Sequence, residues 1–449
     1  MSVSLAEARA LDAADPIAGY RGLFALPPGV AYLDGNSLGA LPLGTASRLG
    51  EVIRKEWGEG LVRSWNSADW IDLPRKVGAM IAPLIGARAD EVIACDSTSV
   101  NLFKLIAAAL QMRPGRKVVL SEPGNFPTDL YMIAGLEAQG LAERRLAARD
   151  ELEAALDEDV ALLLLTHVHY KTGAMHDMAQ LTRAAHAAGA LVLWDLSHSA
   201  GAVPVDLNGC EADLAVGCGY KYFNGGPGAP AFAFVAERHH AALQQPLTGW
   251  MGHAAPFAFT DVYAPAAGID RLLTGTPPIL GMAALEEGVR IIAEIGIARL
   301  VAKSRALSEY LRRCIFELIP SPLAGEGGAP SGAEGEGSAA QATAGAADPS
   351  PNPLPQGERA RTLQFISPAD PEKRGSQLSY RHPEAYALCQ ALIARGVIPD
   401  FREPDVLRLG LAPAYLRFED CWHAAQALGE VLASGEWQRE EFKQRAAVT

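Results

Sequence analysis

The six cysteines of this 449-residue chain, at 95, 210, 218, 314, 389 and 421, include no CxxC pair. In a chain this long, that excludes a disulfide framework and points to reduced thiols in the cytoplasm. Charge is sparse, at 20% of residues, and lopsided: 52 acidic residues against 39 Lys plus Arg leave a net −13. An acidic surface repels phosphate backbones, so nucleic acid is excluded as the main partner. No apolar run approaches the ~18–20 residues needed to cross a membrane. The opening MSVSLAEARALDAADPIAG lacks the basic start and apolar stretch of a signal peptide. What the chain does have is hydrophobic residues, 49% of the total, enough for a large core. Global disorder and fibrous structure are thereby excluded. The length fits two or three domains, or one large domain with an appendage.

From about residue 91 to 236, short apolar runs alternate with helical stretches. EVIACD (91–96), KVVLSE (117–122), ALLLLTHVH (161–169) and LVLWDLSH (191–198) read as strands. NLFKLIAAAL (101–110), LYMIAGLEAQG (130–140) and MAQLTRAAHAAGA (178–190) read as the helices between them. This alternation predicts βαβ units and a largely parallel sheet with helices on both faces. Gly140 and Gly189 stand where helices should stop. A second region, from about 283, reads as one long helix through residue 319. Strand-like TLQFIS (362–367), a helix over 385–396, a strand at 407–412 and a helix near 419–434 follow, together a smaller α+β domain. Between them, 27 of the 39 residues from Pro322 to Ala360 are Ala, Gly, Pro or Ser. Such a stretch buries too little to offset the entropy of ordering and is expected to be a disordered insertion, a tolerated loop expansion. The expected division is 1–60 joining the small domain, 61–282 as the large domain and 283–449 as the small one.

Ligands of open α/β sheets bind at the carboxyl ends of strands, where the sequence places its most reactive residues. WDLSHSAG (194–201) puts Asp195 and His198 at one strand end, and GCGYKYFNGGPGAP (217–230) puts Lys221 after another strand-like run. Alone, Asp195 reads as a turn or cap and Lys221 as a solvated loop residue. Together they fit pyridoxal phosphate (PLP): a lysine for the aldehyde and a buried carboxylate for the pyridine nitrogen. Thr98 and Ser99 open a helix after a strand, either as simple caps or as a phosphate cradle. Phe126 offers a ring to stack on the cofactor, with Asp129 nearby. Thr166 ends a strand on the same side, and the hydroxyl of Tyr220 is placed to reach a phosphate. His167 and His169 share a strand face but have no third ligand at a motif spacing, so no metal is expected. GGPG (225–228) lacks the Lys-Ser/Thr of a P-loop, and no GxSxG is present.

Seven motifs in order, DGNSLG (34–39), NFPTDLY (125–131), HYKTG (169–173), DLSHSAG (195–201), YKYFNGGPGAPAF (220–232), GWMGH (249–253) and GTPPIL (275–280), resemble the kynureninases. These are PLP enzymes of the aspartate-aminotransferase-like fold. The resemblance runs from about residue 32 to 420, interrupted by the 322–360 stretch. It implies that Lys221 carries the cofactor and shuttles protons, that Asp195 pairs with the pyridinium, and that His198 lies beside it. Phe126 would stack on the ring, with Pro127, Thr128 and Asp129 completing that wall. Thr98, Ser99, Thr166 and Tyr220 would hold or position the cofactor, and Tyr220 would also relay a proton. Trp250 and Thr276 would reach the phosphate of a neighbouring subunit, making a homodimer with shared sites. Arg408 would grip the substrate α-carboxylate; otherwise it reads as a salt-bridged surface arginine.

The implied reaction is hydrolytic Cβ–Cγ cleavage of L-kynurenine to anthranilate and L-alanine, in tryptophan catabolism. Trp57, Gly58 and Thr276 stand where the branch favouring 3-hydroxykynurenine resembles a histidine and an asparagine, so kynurenine is expected to be preferred. Two rivals remain. One is another enzyme of the same fold, cysteine desulfurase-like or aminotransferase-like, although Cys314 reads as helical and not as a mobile-loop thiol. The other is a non-catalytic PLP-binding regulator, which would need a DNA-binding module that no basic segment supplies.

Overall fold

A computed structural model describes residues 3–319 and 363–446, so the expected insertion at 322–360 lies outside the described residues. After α1 (Leu5–Ala14), the chain builds a seven-stranded sheet. Its strands are β1 (Val92–Ala94), β2 (Val118–Ser121), β3 (Glu143–Leu146), β4 (Val160–Thr166), β5 (Leu191–Asp195), β6 (Leu214–Gly217) and β7 (Phe232–Val235). The spatial order is β1-β7-β6-β5-β4-β2-β3. Strands β3, β2, β4, β5 and β6 pair in parallel, and β7 runs antiparallel to both β6 and β1.

Both faces of the sheet are covered, and the period-2 geometry of a strand sorts the side chains between them. Ile93, Val119, Leu162, Leu164, Leu191 and Leu193 pack in a core with Leu102, Leu105 and Ile106 of α2 (Thr98–Met112) and Ile133 and Leu136 of α3 (Pro127–Ala138). Val118, Leu120, Leu163, Leu165, Val192 and Trp194 point the other way, to a core holding Leu181 of α4 (Met178–Ala187) and Met282, Leu285 and Val289 of α5 (Ile279–Ile295). Burying a leucine in such a layer stabilises by about 2 kcal/mol. Gly140 and Gly189 do end helices, at φ +72° and +77°. The charged edge strand β3, sequence ERRL and mostly exposed, gave no apolar signal to read.

The helix read as continuous through residue 319 is two: α5 stops at Ile295 and α6 (Ile297–Leu318) begins after Gly296. Gly296 sits at φ +80°, a conformation open to a residue without Cβ, while the apolar pattern runs on across the break. Beyond the undescribed stretch come β8 (Gln364–Phe365), β9 (Gln377–Arg381), α7 (Ala385–Ala394), β10 (Asp400–Arg402), β11 (Val406–Gly410) and α8 (Phe418–Ser434). The four strands form an antiparallel sheet in the order β8-β9-β11-β10. Val3, Ala8, Ala31 and Leu33 share a core with Leu311, Leu388, Leu407 and Leu428 of this region. Ala31–Tyr32 also pairs in parallel with Val397–Ile398.

Candidate active site

Strands β4 and β5 end side by side, with Thr166 opposite Asp195. Both residues have the parity of the face covered by α2 and α3, and that brings Asp195 next to Asp129 in the first turn of α3. Asp195 accepts a hydrogen bond from the Ser197 N–H at 2.8 Å. Among the described residues, neither oxygen of the fully buried Asp129 has a partner. Burial and the neighbouring Asp195 carboxylate push Asp129 well above the usual carboxylate range. Burial raises Asp195 too, against the pull of Ser197 and Lys221.

Lys221 is buried and donates from Nζ to His198 Nε2 at 2.9 Å. Burial lowers the pKa of Lys221, with Asp195 and Cys218 opposing, and holds His198 well below its ordinary value. A neutral imidazole therefore faces an amine biased towards its neutral form, the state in which nitrogen is a nucleophile and base. His198 Nδ1 is buried without a partner among the described residues. The Phe126 ring centroid lies 5.7 Å from Lys221 Nζ and that of Tyr220 5.9 Å. Phe126 is itself the N-cap of α3 and makes no side-chain cap bond; Pro127 and Thr128 follow in the first turn. The Thr166 hydroxyl donates to Asn125 Oδ1, so Thr166 orders the loop before Phe126. The α2 cap is Ser97, whose hydroxyl accepts the Val100 N–H, and Thr98 and Ser99 are thereby left inside the first turn. Thr98 Oγ1 is buried without a partner among the described residues.

The second half of the site comes from the small sheet. Arg408 on β11 is 1% exposed and lies directly opposite Asp400 on β10. Its guanidinium donates to both Asp400 oxygens, Nε to Oδ1 at 2.6 Å, and to the Tyr170 carbonyl and Ser37 hydroxyl. It is thus salt-bridged and also buried, facing the same space as Lys221 and His198, both of which feel its charge. Loop 34–39 ties the halves together. Its Gly39 N–H donates to the Tyr220 carbonyl at 2.7 Å, and a Cβ on Gly39 would lie 2.3 Å from the Lys221 carbonyl oxygen.

Known proteins of three kinds resemble this chain. Residues 63–322 match the Aminotransferase class-V family and residues 354–428 the Kynureninase C-terminal domain, so the first covers Thr98 to Thr276 and the second covers Asp400 and Arg408. A kynureninase of Burkholderia mallei strain SAVP1 is 48% identical over 99% of both chains, and one of Pseudomonas fluorescens is 45% identical over 98% of both. The chain belongs to the kynureninase family. Among solved structures, the apo cysteine desulfurase of Thermococcus onnurineus NA1 superposes with a TM-score of 0.71 at 18% identity, covering 93% of this chain and 98% of that one. A C-DES variant with glycine covalently linked to its PLP cofactor gives 0.70 at 15% identity, covering 91% and 98%. These two share the fold.

Not every kynureninase motif meets at Lys221. Trp250 is 39% exposed and packs on Phe257 and Phe259, and Thr276 is exposed near Asp96. Neither joins the Lys221 cluster within this chain. His167 and His169 take separate partners, Ser199 for the first and the Gly124 carbonyl and Thr172 for the second. Asp34, Ser37, Tyr170 and Asp400 escaped the reading of site residues. The DGNSLG and HYKTG motifs carried three of them, whereas Asp400 stands in no motif and is recruited by strand pairing alone.

Four buried polar atoms without partners, both oxygens of Asp129, Nδ1 of His198 and Oγ1 of Thr98, lie at the carboxyl edge of the sheet. Each such atom costs about 1–3 kcal/mol. A planar ring with an N–H, an anionic phosphate and an aldehyde for Lys221 would satisfy these groups, so the residues present fit PLP.

Proposed function

We propose that this chain hydrolyses L-kynurenine to anthranilate and L-alanine, as a PLP-dependent member of its family acting in tryptophan catabolism. One observation carries the reading: a buried amine on a neutral histidine, facing a buried arginine, in a chain whose kynureninase relatives match it end to end. PLP supplies an electron sink conjugated to the substrate's α-carbon. Lys221 takes a proton from that carbon and returns it nearby, and burial favours the neutral form this needs. Asp195, beside Asp129, would pair with the pyridine nitrogen. Phe126 would cover the ring, with Pro127, Thr128 and Asp129 along that wall. Thr98 and Ser99 would hold the phosphate at the start of α2, where free N–H groups favour an anion. The neighbouring Cys218, then burial and Asp195, push the Tyr220 hydroxyl upward, so it keeps its proton to donate at the γ-carbonyl. Arg408 orients the α-carboxylate. Water then adds to the γ-ketone and the Cβ–Cγ bond breaks.

Trp250 and Thr276 act in the neighbour's site of a homodimer, a role supported by the exposed cluster Trp250, Phe257 and Phe259. Six free cysteines support a reducing cytoplasm. Among the described residues no helix is long and apolar enough to cross a membrane. Trp57, Gly58 and Thr276, where the branch favouring 3-hydroxykynurenine has a histidine and an asparagine, support a preference for kynurenine over 3-hydroxykynurenine.

The reaction is tested in H₂¹⁸O. Hydrolysis at the γ-carbon puts one ¹⁸O into the anthranilate carboxylate and none into alanine, and label in alanine would refute it. Comparing kcat/KM for the two substrates tests the preference, which is lost if 3-hydroxykynurenine is the better one.

A further inference from the structure

Every guanidinium nitrogen of Arg408 already has a partner: Nε and one terminal nitrogen donate to Asp400, the second of these also to the Ser37 hydroxyl, and the other terminal nitrogen donates to the Tyr170 carbonyl. A substrate carboxylate arriving here meets an ion pair and not a free cation. Around that pair, Arg402 adds a second positive charge, with a terminal nitrogen 3.0 Å from both Asp400 Oδ2 and Ser37 Oγ. Asp34, at the head of the DGNSLG loop, adds a second carboxyl within hydrogen-bonding reach of Asp400, and its Oδ1 is buried without a partner. Two arginines and one ionised Asp400 leave one positive charge for the substrate. Ionising Asp34 cancels it.

We propose that Asp34 and Asp400 share a proton, and that this proton fixes the surplus positive charge with which Arg408 and Arg402 receive the substrate α-carboxylate. Asp34 is then a positioning residue acting through Asp400 and Arg408, and the proposal rests on the reading of Arg408 as the carboxylate-binding residue. Geometry explains why the two acids differ. Asp400 is clamped by Arg408, Arg402 and the Ser37 hydroxyl at 2.6 Å, which favours its charge. For Asp34 the pull of the Ser37 hydroxyl and the Arg408 charge is outweighed by burial and the Asp400 charge, which hold it neutral up to about 8. Tyr32 from the same segment, Tyr222 beside Lys221, Tyr415 before α8 and Cys389 on α7 also face these acids. Burial pushes all four upward, so they stay neutral where Asp34 titrates.

The test is the KM for L-kynurenine of the holoenzyme between pH 7 and 9.5, beside Asp34→Asn, which fixes that position in its uncharged state. The wild-type KM should rise relative to the variant's by about tenfold, as expected when one charge beside a carboxylate site turns on. The ratio to the variant removes the substrate's own amine titration. A flat ratio overturns the proposal. Asp400→Asn gives a second route: a lone Asp34 then becomes the counterion of Arg408, ionised throughout, and the alkaline rise disappears. Persistence of the rise in that variant also overturns the proposal. Without any variant, the wild type's selectivity for L-kynurenine over the same amine lacking the α-carboxylate should fall about tenfold over this range. Constant selectivity counts against the proposal. Arg408→Lys separates the two readings. If it leaves KM unmoved at pH 7, the role of Arg408 falls and the proposal with it. If it raises KM while the wild-type and Asp34→Asn profiles coincide, only the proposal falls.

Discussion

The two halves of the site are built on opposite principles. Around Lys221, buried polar atoms stand without partners, namely both oxygens of Asp129, Nδ1 of His198 and Oγ1 of Thr98. Around Arg408, each guanidinium nitrogen is bonded to Asp400, Tyr170 or Ser37. An unsatisfied half tolerates its desolvation cost because a resident cofactor completes it. On the proposed role of Arg408, the other half instead exchanges partners each time a substrate comes and goes, and a preformed ion pair holds the arginine in place meanwhile. The difference separates a group that stays from a group that turns over.

Removing the central group of the unsatisfied half should have the largest effect. Lys221→Ala is expected to lower anthranilate formation by at least about 10⁴-fold, since both the cofactor linkage and the mobile proton go with it. Fluorescence of anthranilate measures it, and a loss under tenfold would remove Lys221 from the chemistry. Arg408→Lys comes next: a lysine loses the planar fork, so KM should rise about 100-fold with kcat changing much less. A fall in kcat as large as that in kcat/KM would mean that Arg408 acts on the reacting bond instead.

The link between the halves is a close backbone approach at Gly39. Gly39→Ala places a Cβ against the Lys221 carbonyl and the Asn224 backbone, at 2.3 and 2.8 Å. Overpacking of this kind should destabilise by about 1–3 kcal/mol, measured by urea unfolding. An unchanged midpoint would show that the two halves are not rigidly joined there.

Smaller still is the effect of pH on stability at the acid pair. Asp34 stays protonated in the fold up to about 8, while an unfolded aspartate ionises near the ordinary 3.8, so its contribution to stability falls as pH rises between those values. Asp400 has the opposite sign: held down to about 2, it contributes stability above 3.8 that disappears as pH falls toward 2. Asp34→Asn should therefore melt on the order of 2–5 °C above wild type at pH 8 and level with it at pH 4. A difference of the same size at both pH values would rule out titration as its cause. Deleting residues 322–360 should change activity least, because none of the candidate site residues lies in that stretch. A tenfold loss in the same assay would give that stretch a role.

The same contrast explains what was legible in the sequence. The Lys221 half is assembled from strand ends and the turns that follow them, so linear order places Asp195, His198 and Phe126 together once parallel strands are recognised. Arg408 was legible as an arginine but not as a buried one. Its partner Asp400 sits eight residues away across an antiparallel pair, and Ser37 and Asp34 come from more than 360 residues upstream. Register across strands is not written in local periodicity. Ser97, not Thr98, caps α2 because the chain leaves the strand through Asp96 at φ +49°, a choice that three consecutive hydroxyl residues leave open. The break at Gly296 was hidden because its neighbours keep a helical apolar pattern on both sides.

The most direct measurement mixes the PLP-loaded protein with L-kynurenine, and in a parallel cell with L-cysteine, and follows anthranilate fluorescence and sulfide release. The predicted result is many turnovers of anthranilate matched one-to-one by L-alanine, with no sulfide above background. A yellow holoprotein whose spectrum shifts with kynurenine but yields no anthranilate, or one that releases sulfide from cysteine, would contradict it.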